Sequence, residues 1–185
     1  MRSRAPGPAT SRPAASGRNE TTKGADGLYD LSVSRWTAPG VALMASAWLL
    51  LIIAAPSLTT PLAGALYAAG SLICHQLAER SFHLQSVQLP VCARCVGIYG
   101  GAAVGSLAGA TAMGRRWRLW WRQPATRRLN WIATAVAAIP TIATFALEWG
   151  LGWPISNTGR AVAALPLGFA VAFVVVSALA TLHYE

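Results

Sequence analysis

Residues Leu72 to Gly101 read LICHQLAERSFHLQSVQLPVCARCVGIYGG. They hold all three cysteines of the chain, Cys74, Cys92 and Cys95, with His75 beside the first. A Cys-His pair and a Cys-x-x-Cys pair therefore flank a short polar stretch. The pairs suit a metal site, a redox couple or the turn between two buried helices. The flanks decide between these, because they set the solvent in which the stretch sits.

Those flanks are apolar. Arg35 and Glu79 bracket 43 residues without Asp, Glu, Lys or Arg. Further uncharged runs cover 95–114, 129–147 and 161–184. About 20 apolar residues cross a bilayer, so the first run is long enough for two spans, with PSLTTP (Pro56 to Pro61) as the turn. The composition agrees: 54% hydrophobic and 11% charged, against roughly 25% charged in an ordinary soluble domain. The net charge of +9 is confined to a few places, which excludes a soluble nucleic-acid binder with basic residues spread over a polar surface.

The reading is an all-α, polytopic membrane helix bundle with about five transmembrane helices, near 39–57, 61–77, 93–113, 130–149 and 161–183. The second segment is short and carries Cys74 and His75 in its last turn. Four spans plus one half-inserted segment is therefore the alternative. Pro140 and Pro166 are expected to kink the last two helices. Residues 1–36, rich in Pro, Ala, Gly and Arg, have little to bury and are expected to form a disordered basic tail. Residues 37–185 form a single transmembrane domain.

Orientation follows from charge. The loop RRWRLWWRQPATRR (Arg115 to Arg128) carries six arginines and no acid, and a short loop this basic stays cytoplasmic. Its arginines suit anionic head groups, and Trp117, Trp120 and Trp121 suit the interface. Five spans would then put the equally basic tail outside, whereas four would put both segments inside. Either way, loops two spans apart share a face. Glu148, Asn157 and Arg160 therefore belong to the face that holds the cysteines.

On that face, Cys92 and Cys95 stand at i and i+3 of a helix start, where unpaired N–H groups favour thiolate. Arg94 adds positive charge. Cys74, His75, Cys92 and Cys95 make a Cys3His set, a ligand set of structural zinc. Iron or copper(I) would also suit soft thiolates. Arg80, Arg94, Glu148, Asn157 and Arg160 are the candidate polar surround. A c-type haem is excluded, since Val96 and not His follows Cys95. A thiol–disulfide pair and plain structural cysteines remain open beside the metal site. No Walker loop, HExxH or GxSxG is present, so no nucleotide or hydrolytic chemistry is indicated. Gly97, Gly101, Gly105 and Gly109 form a stripe of small residues for close helix packing.

The stretch from Cys74 to Tyr99 resembles the prokaryotic membrane-protein family catalogued as domain of unknown function 2085. The family pattern falls here on Cys74, His75, Gln76, Arg80, Ser81, Pro90, Cys92, Arg94, Cys95, Gly97 and Tyr99. A second block, SNTGR…PLG, carries Asn157, Arg160 and Gly168. The resemblance covers roughly residues 60–180, with Val96 where a smaller residue is expected. It implies an integral protein of the prokaryotic cell membrane with a shared Cys/His site, and it supplies no activity.

Overall fold

A computed structural model describes residues 20–111 and 124–179, with side chains described from Thr37 to Thr111 and from Arg128 to Leu179. Most of the basic loop and the first 19 residues lie outside it. The elements are α1 (Glu20–Ala54), α2 (Thr60–Ser71), β1 (Ser81–Leu84), β2 (Val87–Cys92), α3 (Ala93–Ala110), α4 (Pro124–Gly150) and α5 (Asn157–Leu179). The assignment of α1 opens at Glu20, inside the segment read as a disordered tail. Among the described residues, three segments are long and apolar enough to cross a membrane: Thr37–Ser57, Arg128–Gly150 and Asn157–Leu179.

Two expectations change here. The first is the five-span count. α2 has 12 residues, about 18 Å of helix, against a hydrocarbon core of about 30 Å. Pro61 sits at its start, where its missing N–H removes no helical bond. The helix stops at Ser71, before Cys74, so Cys74 and His75 do not close a spanning helix. The second is the all-α description. Residues 81–92 form an antiparallel hairpin with Leu84 opposite Val87 and His83 opposite Gln88. Gln85 and Ser86 both take positive φ, 51° and 67°, the backbone of a two-residue type I′ turn. A bulge between Ser81 and His83 lets Ser81 face Cys92.

α3 is the central helix. Its 18 residues run alongside α5 over their whole length, and the glycine stripe is the reason. A Cβ at Gly97, Gly101 or Gly105 would collide with the carbonyl of Ala161, Leu165 or Phe169, and one at Gly168 would strike the carbonyl of Ile98. At Gly109 it would meet the Val176 side chain at 3.1 Å. Without hydrophobic expulsion from lipid, such close backbone approach supplies the dispersion contact that holds membrane helices together. α1 packs on α3, with Trp48 edge-on to Tyr99 at 6.2 Å. α4 packs on α5, where Thr141 donates 2.9 Å to the Ala163 carbonyl near Pro166. Both prolines lie inside continuous helices. The outer face of α4 leaves Trp131, Ile132, Val136, Ile139 and Ile142 exposed, as a lipid-facing surface requires.

The end of α1, the hairpin, the start of α3, the end of α4 and the start of α5 meet at one end of the bundle. Ile52 of α1 is buried against Cys74 and Val91, Arg94 reaches Glu148, and Asn157 reaches Ser81.

Candidate metal centre

The segment after α2 is positioned by amides rather than by helix. Gln76, at φ 50°, donates through Nε2 to the carbonyls of Tyr67 and Pro90, each at 2.8 Å. Gln88 returns from the hairpin to donate 2.6 Å to the Gln76 carbonyl and 3.2 Å to Ser81 Oγ. The Tyr67 hydroxyl donates to the Gln88 carbonyl. Gly70 lets β2 pass this close, because a Cβ there would run into the Pro90 carbonyl. Together these bonds tie the turn after α2 to β2 and carry Cys74 to the N-terminus of α3.

There the backbone N–H of Cys92 donates to Cys74 Sγ at 3.1 Å. Cys92 caps α3 in extended conformation, and its Sγ lies 3.6 Å from that of Cys95 one turn on. All three sulfurs lie within 4.8 Å of one another. Tetrahedral zinc with sulfur at about 2.3 Å needs sulfurs roughly 3.8 Å apart, so small side-chain rotations suffice to close three thiolates on one ion. None of the three cysteines is in a disulfide, and each is at most half-exposed. The Cys92 thiol is lowered to about 5, chiefly because it accepts a hydrogen bond from Cys95. Cys92 thus holds a thiolate toward which the Cys95 thiol donates.

His75 stands apart. The sequence placed its imidazole with the sulfurs, but the cluster within 4.8 Å comprises the cysteines alone. Its side chain is exposed, since the backbone after Ser71 is no longer helical and turns the residue after Cys74 outward. It still lines the same cavity as all three cysteines.

The polar residues form a continuous chain beside the sulfurs. Glu148, with 6% of its side chain exposed, takes Arg94 Nη2 on one oxygen and Arg160 Nε on the other, each at 2.5 Å. Arg160 also donates 2.6 Å to Asn157 Oδ1 and 3.4 Å to the Glu79 carbonyl, and Asn157 donates 3.0 Å to the Ser81 carbonyl. A carboxylate between two guanidiniums is the pairing that charges at membrane depth need. Arg80 lies apart from this chain, 5.8 Å over the Trp149 ring, while Arg94 lies 5.4 Å over Phe145. Phe145 and Trp149 stack at 5.6 Å. These two aromatics, Tyr67 and Gln88 were not singled out in the sequence. Their i, i+4 spacing marks the aromatic pair as one helix face, but nothing local says which neighbour it meets.

With this geometry in place, comparison with known proteins is informative. A family model described as a predicted membrane protein matches residues 74–174, more than half of the chain. The chain belongs to this family, DUF2085. The matched segment opens on Cys74 and contains both other cysteines and the whole Arg94–Glu148–Arg160–Asn157 chain. An uncharacterised protein of the archaeon Methanocaldococcus jannaschii is 55% identical over 42 residues, which cover 23% of this chain and 27% of that protein. The chain thus matches about a quarter of that relative's length. No solved structure matches.

Proposed function

We propose that this DUF2085 protein binds a thiophilic metal ion through Cys74, Cys92 and Cys95 at one end of its helix bundle. The convergence of three sulfurs within 4.8 Å, from residues 18 and 21 positions apart, carries this reading. The Cys92 N–H and the first turn of α3 stabilise the thiolates. Zinc or iron is the expected ion, with copper(I) compatible with an all-sulfur set. His75 is the candidate fourth ligand. It borders the same cavity, and a turn of the ring and backbone after Cys74 would bring a nitrogen in. Arg94, Glu148, Asn157 and Arg160 hold the start of α3 in place against α4 and α5, and so orient the thiols. Metal analysis of anaerobically purified protein in mild detergent tests this, with thiols counted before and after chelation. One ion per chain whose removal frees three thiols supports it; a metal-free protein with three free thiols overturns it.

A second reading is a membrane thiol–disulfide oxidoreductase. It is favoured by the 3.6 Å between Cys92 and Cys95 Sγ and by the lowered Cys92 thiol. Metal-free protein that cycles between a Cys92–Cys95 disulfide and the dithiol would support it.

For topology we infer four crossings, by α1, α3, α4 and α5, with α2 and the hairpin capping one end. α1 and α4 then run toward the cysteines, and α3 and α5 away from them. Both basic segments, the tail and the 115–128 loop, leave the opposite end. The two charge signals that conflict under five spans agree under four, and place that end on the cytoplasmic side. The cysteines face outward across a prokaryotic cell membrane, and the arginines of 115–128 meet anionic head groups of the bilayer.

A further inference from the structure

Beside the sulfurs lies a cavity of about 430 Å³. Cys74, Cys92 and Cys95 line one wall, and Arg80, Arg94 and Arg160 line the others with Phe145 and Trp149. At its mouth Ile73, Leu77, Phe145 and Trp149 are 43–67% exposed, a surface that acyl chains can cover. We propose that this cavity binds an anionic amphiphile from the bilayer, a phosphate or carboxylate head group on a hydrocarbon chain.

The charge balance makes the case for an anion. Three guanidiniums surround the cavity. Glu148 is their carboxylate partner and is shared by Arg94 and Arg160. Glu79 is exposed and does not line the cavity. The guanidiniums lining the cavity therefore outnumber their carboxylate partners. Among the described residues Arg80 has no carboxylate in ion-pair range, and Arg94 Nε is buried without a hydrogen-bond partner. Both guanidiniums lie over the aromatic walls, which support their planes and leave in-plane N–H groups to bind oxygen anions. In a membrane a cation at this depth needs a counter-charge, and an anionic head group whose tail follows the apolar mouth supplies it.

The test uses the full chain in phosphatidylcholine nanodiscs. The discs are plain, or supplemented with dodecyl phosphate or dodecanol; a further sample has inorganic phosphate in the buffer. The readouts are the rate of cysteine alkylation by N-ethylmaleimide and direct binding of radiolabelled dodecyl phosphate. Dodecyl phosphate should slow alkylation and dodecanol should not. Arg80→Gln should weaken binding about tenfold, the scale of one lost charge-assisted hydrogen bond. Arg80 makes no ion pair among the described residues, so this variant should stay folded; Arg80→Lys should recover part of the affinity, which a purely structural loss would not allow. Equal protection by dodecanol, protection by inorganic phosphate alone, or unchanged binding in Arg80→Gln would each overturn the proposal.

Discussion

The main-chain N–H of Cys92 donates to the sulfur of Cys74 at 3.1 Å across 18 residues of sequence. That bond places one thiol of the turn after α2 on the axis of α3, beside Cys92 and Cys95. Replacing any of the three cysteines by Ser should therefore remove bound metal altogether. His75→Ala should weaken binding by about tenfold, the low end of the 10–100-fold range for losing a supporting group. Equilibrium competition with a zinc chelator measures both. A Cys74→Ser protein that keeps full affinity would remove Cys74 from the site.

The lowered Cys92 thiol gives a pH test on metal-free, reduced protein. Cys92 is lowered to about 5, so its thiolate persists as pH falls from 8 and is lost only as pH drops through about 5. A free thiol near 8.5 would lose about tenfold in reactivity per unit below that value. Iodoacetamide alkylation of Cys92, followed by peptide mass spectrometry, should stay nearly flat down to about pH 6. In Cys95→Ala, which removes the largest cause of the lowering, the profile should shift to higher pH.

Gly101 and Gly64 form an internal control for the α3–α5 seam. A Cβ at Gly101 meets the Leu165 carbonyl, whereas Gly64 has nothing within 4 Å. Gly101→Ala should destabilise by about 3 kcal/mol, the upper range for overpacking against unyielding atoms. Gly64→Ala should stabilise α2 by roughly 0.5–1 kcal/mol through helix propensity. Unfolding in detergent with a helix-sensitive signal compares them.

Glu148 pairs with two mostly buried guanidiniums at once, so Glu148→Gln should cost about 3 kcal/mol, the lower end for breaking a buried ion pair. Adding Arg160→Gln to Glu148→Gln should cost less than Arg160→Gln alone, because its partner is already gone. Equal costs in the two backgrounds would mean that the pair contributes no coupling.

The proposed four crossings would place the hairpin tip and the basic loop on opposite sides. Protease sites inserted after Gln85 and after Gln123 should be cut from opposite faces of sealed vesicles, with Gln123 cut from the cytoplasmic face. Cleavage of both from one face would mean that α3 does not cross the membrane and would reduce the count to three.

Membrane character was legible in the sequence because it depends on composition over a window, and the 43-residue uncharged run needs no contact map. The glycine stripe and the Cys92/Cys95 pair were legible for a related reason: both follow from the 3.6-residue repeat of one helix. The shared face of Glu148, Asn157 and Arg160 with the cysteines also followed, since it depends on the parity of crossings. The hairpin was not legible. Gln85 and Ser86 lack the Asn-Gly type of residue that announces positive φ, and their backbone is imposed by the pairing of β1 with β2. The end of α2 at Ser71 was equally hidden, because Gln76 makes it by bonding Pro90, 14 residues away. Hydropathy and helical period are properties of neighbours along the chain, so the sequence alone determined the three long apolar helices and the small-residue seam, but not the number of crossings. Which thiol joins the pair, where His75 points and how Glu148 divides between Arg94 and Arg160 depend on surfaces that meet only after the helices pack, and the tertiary structure alone decided them.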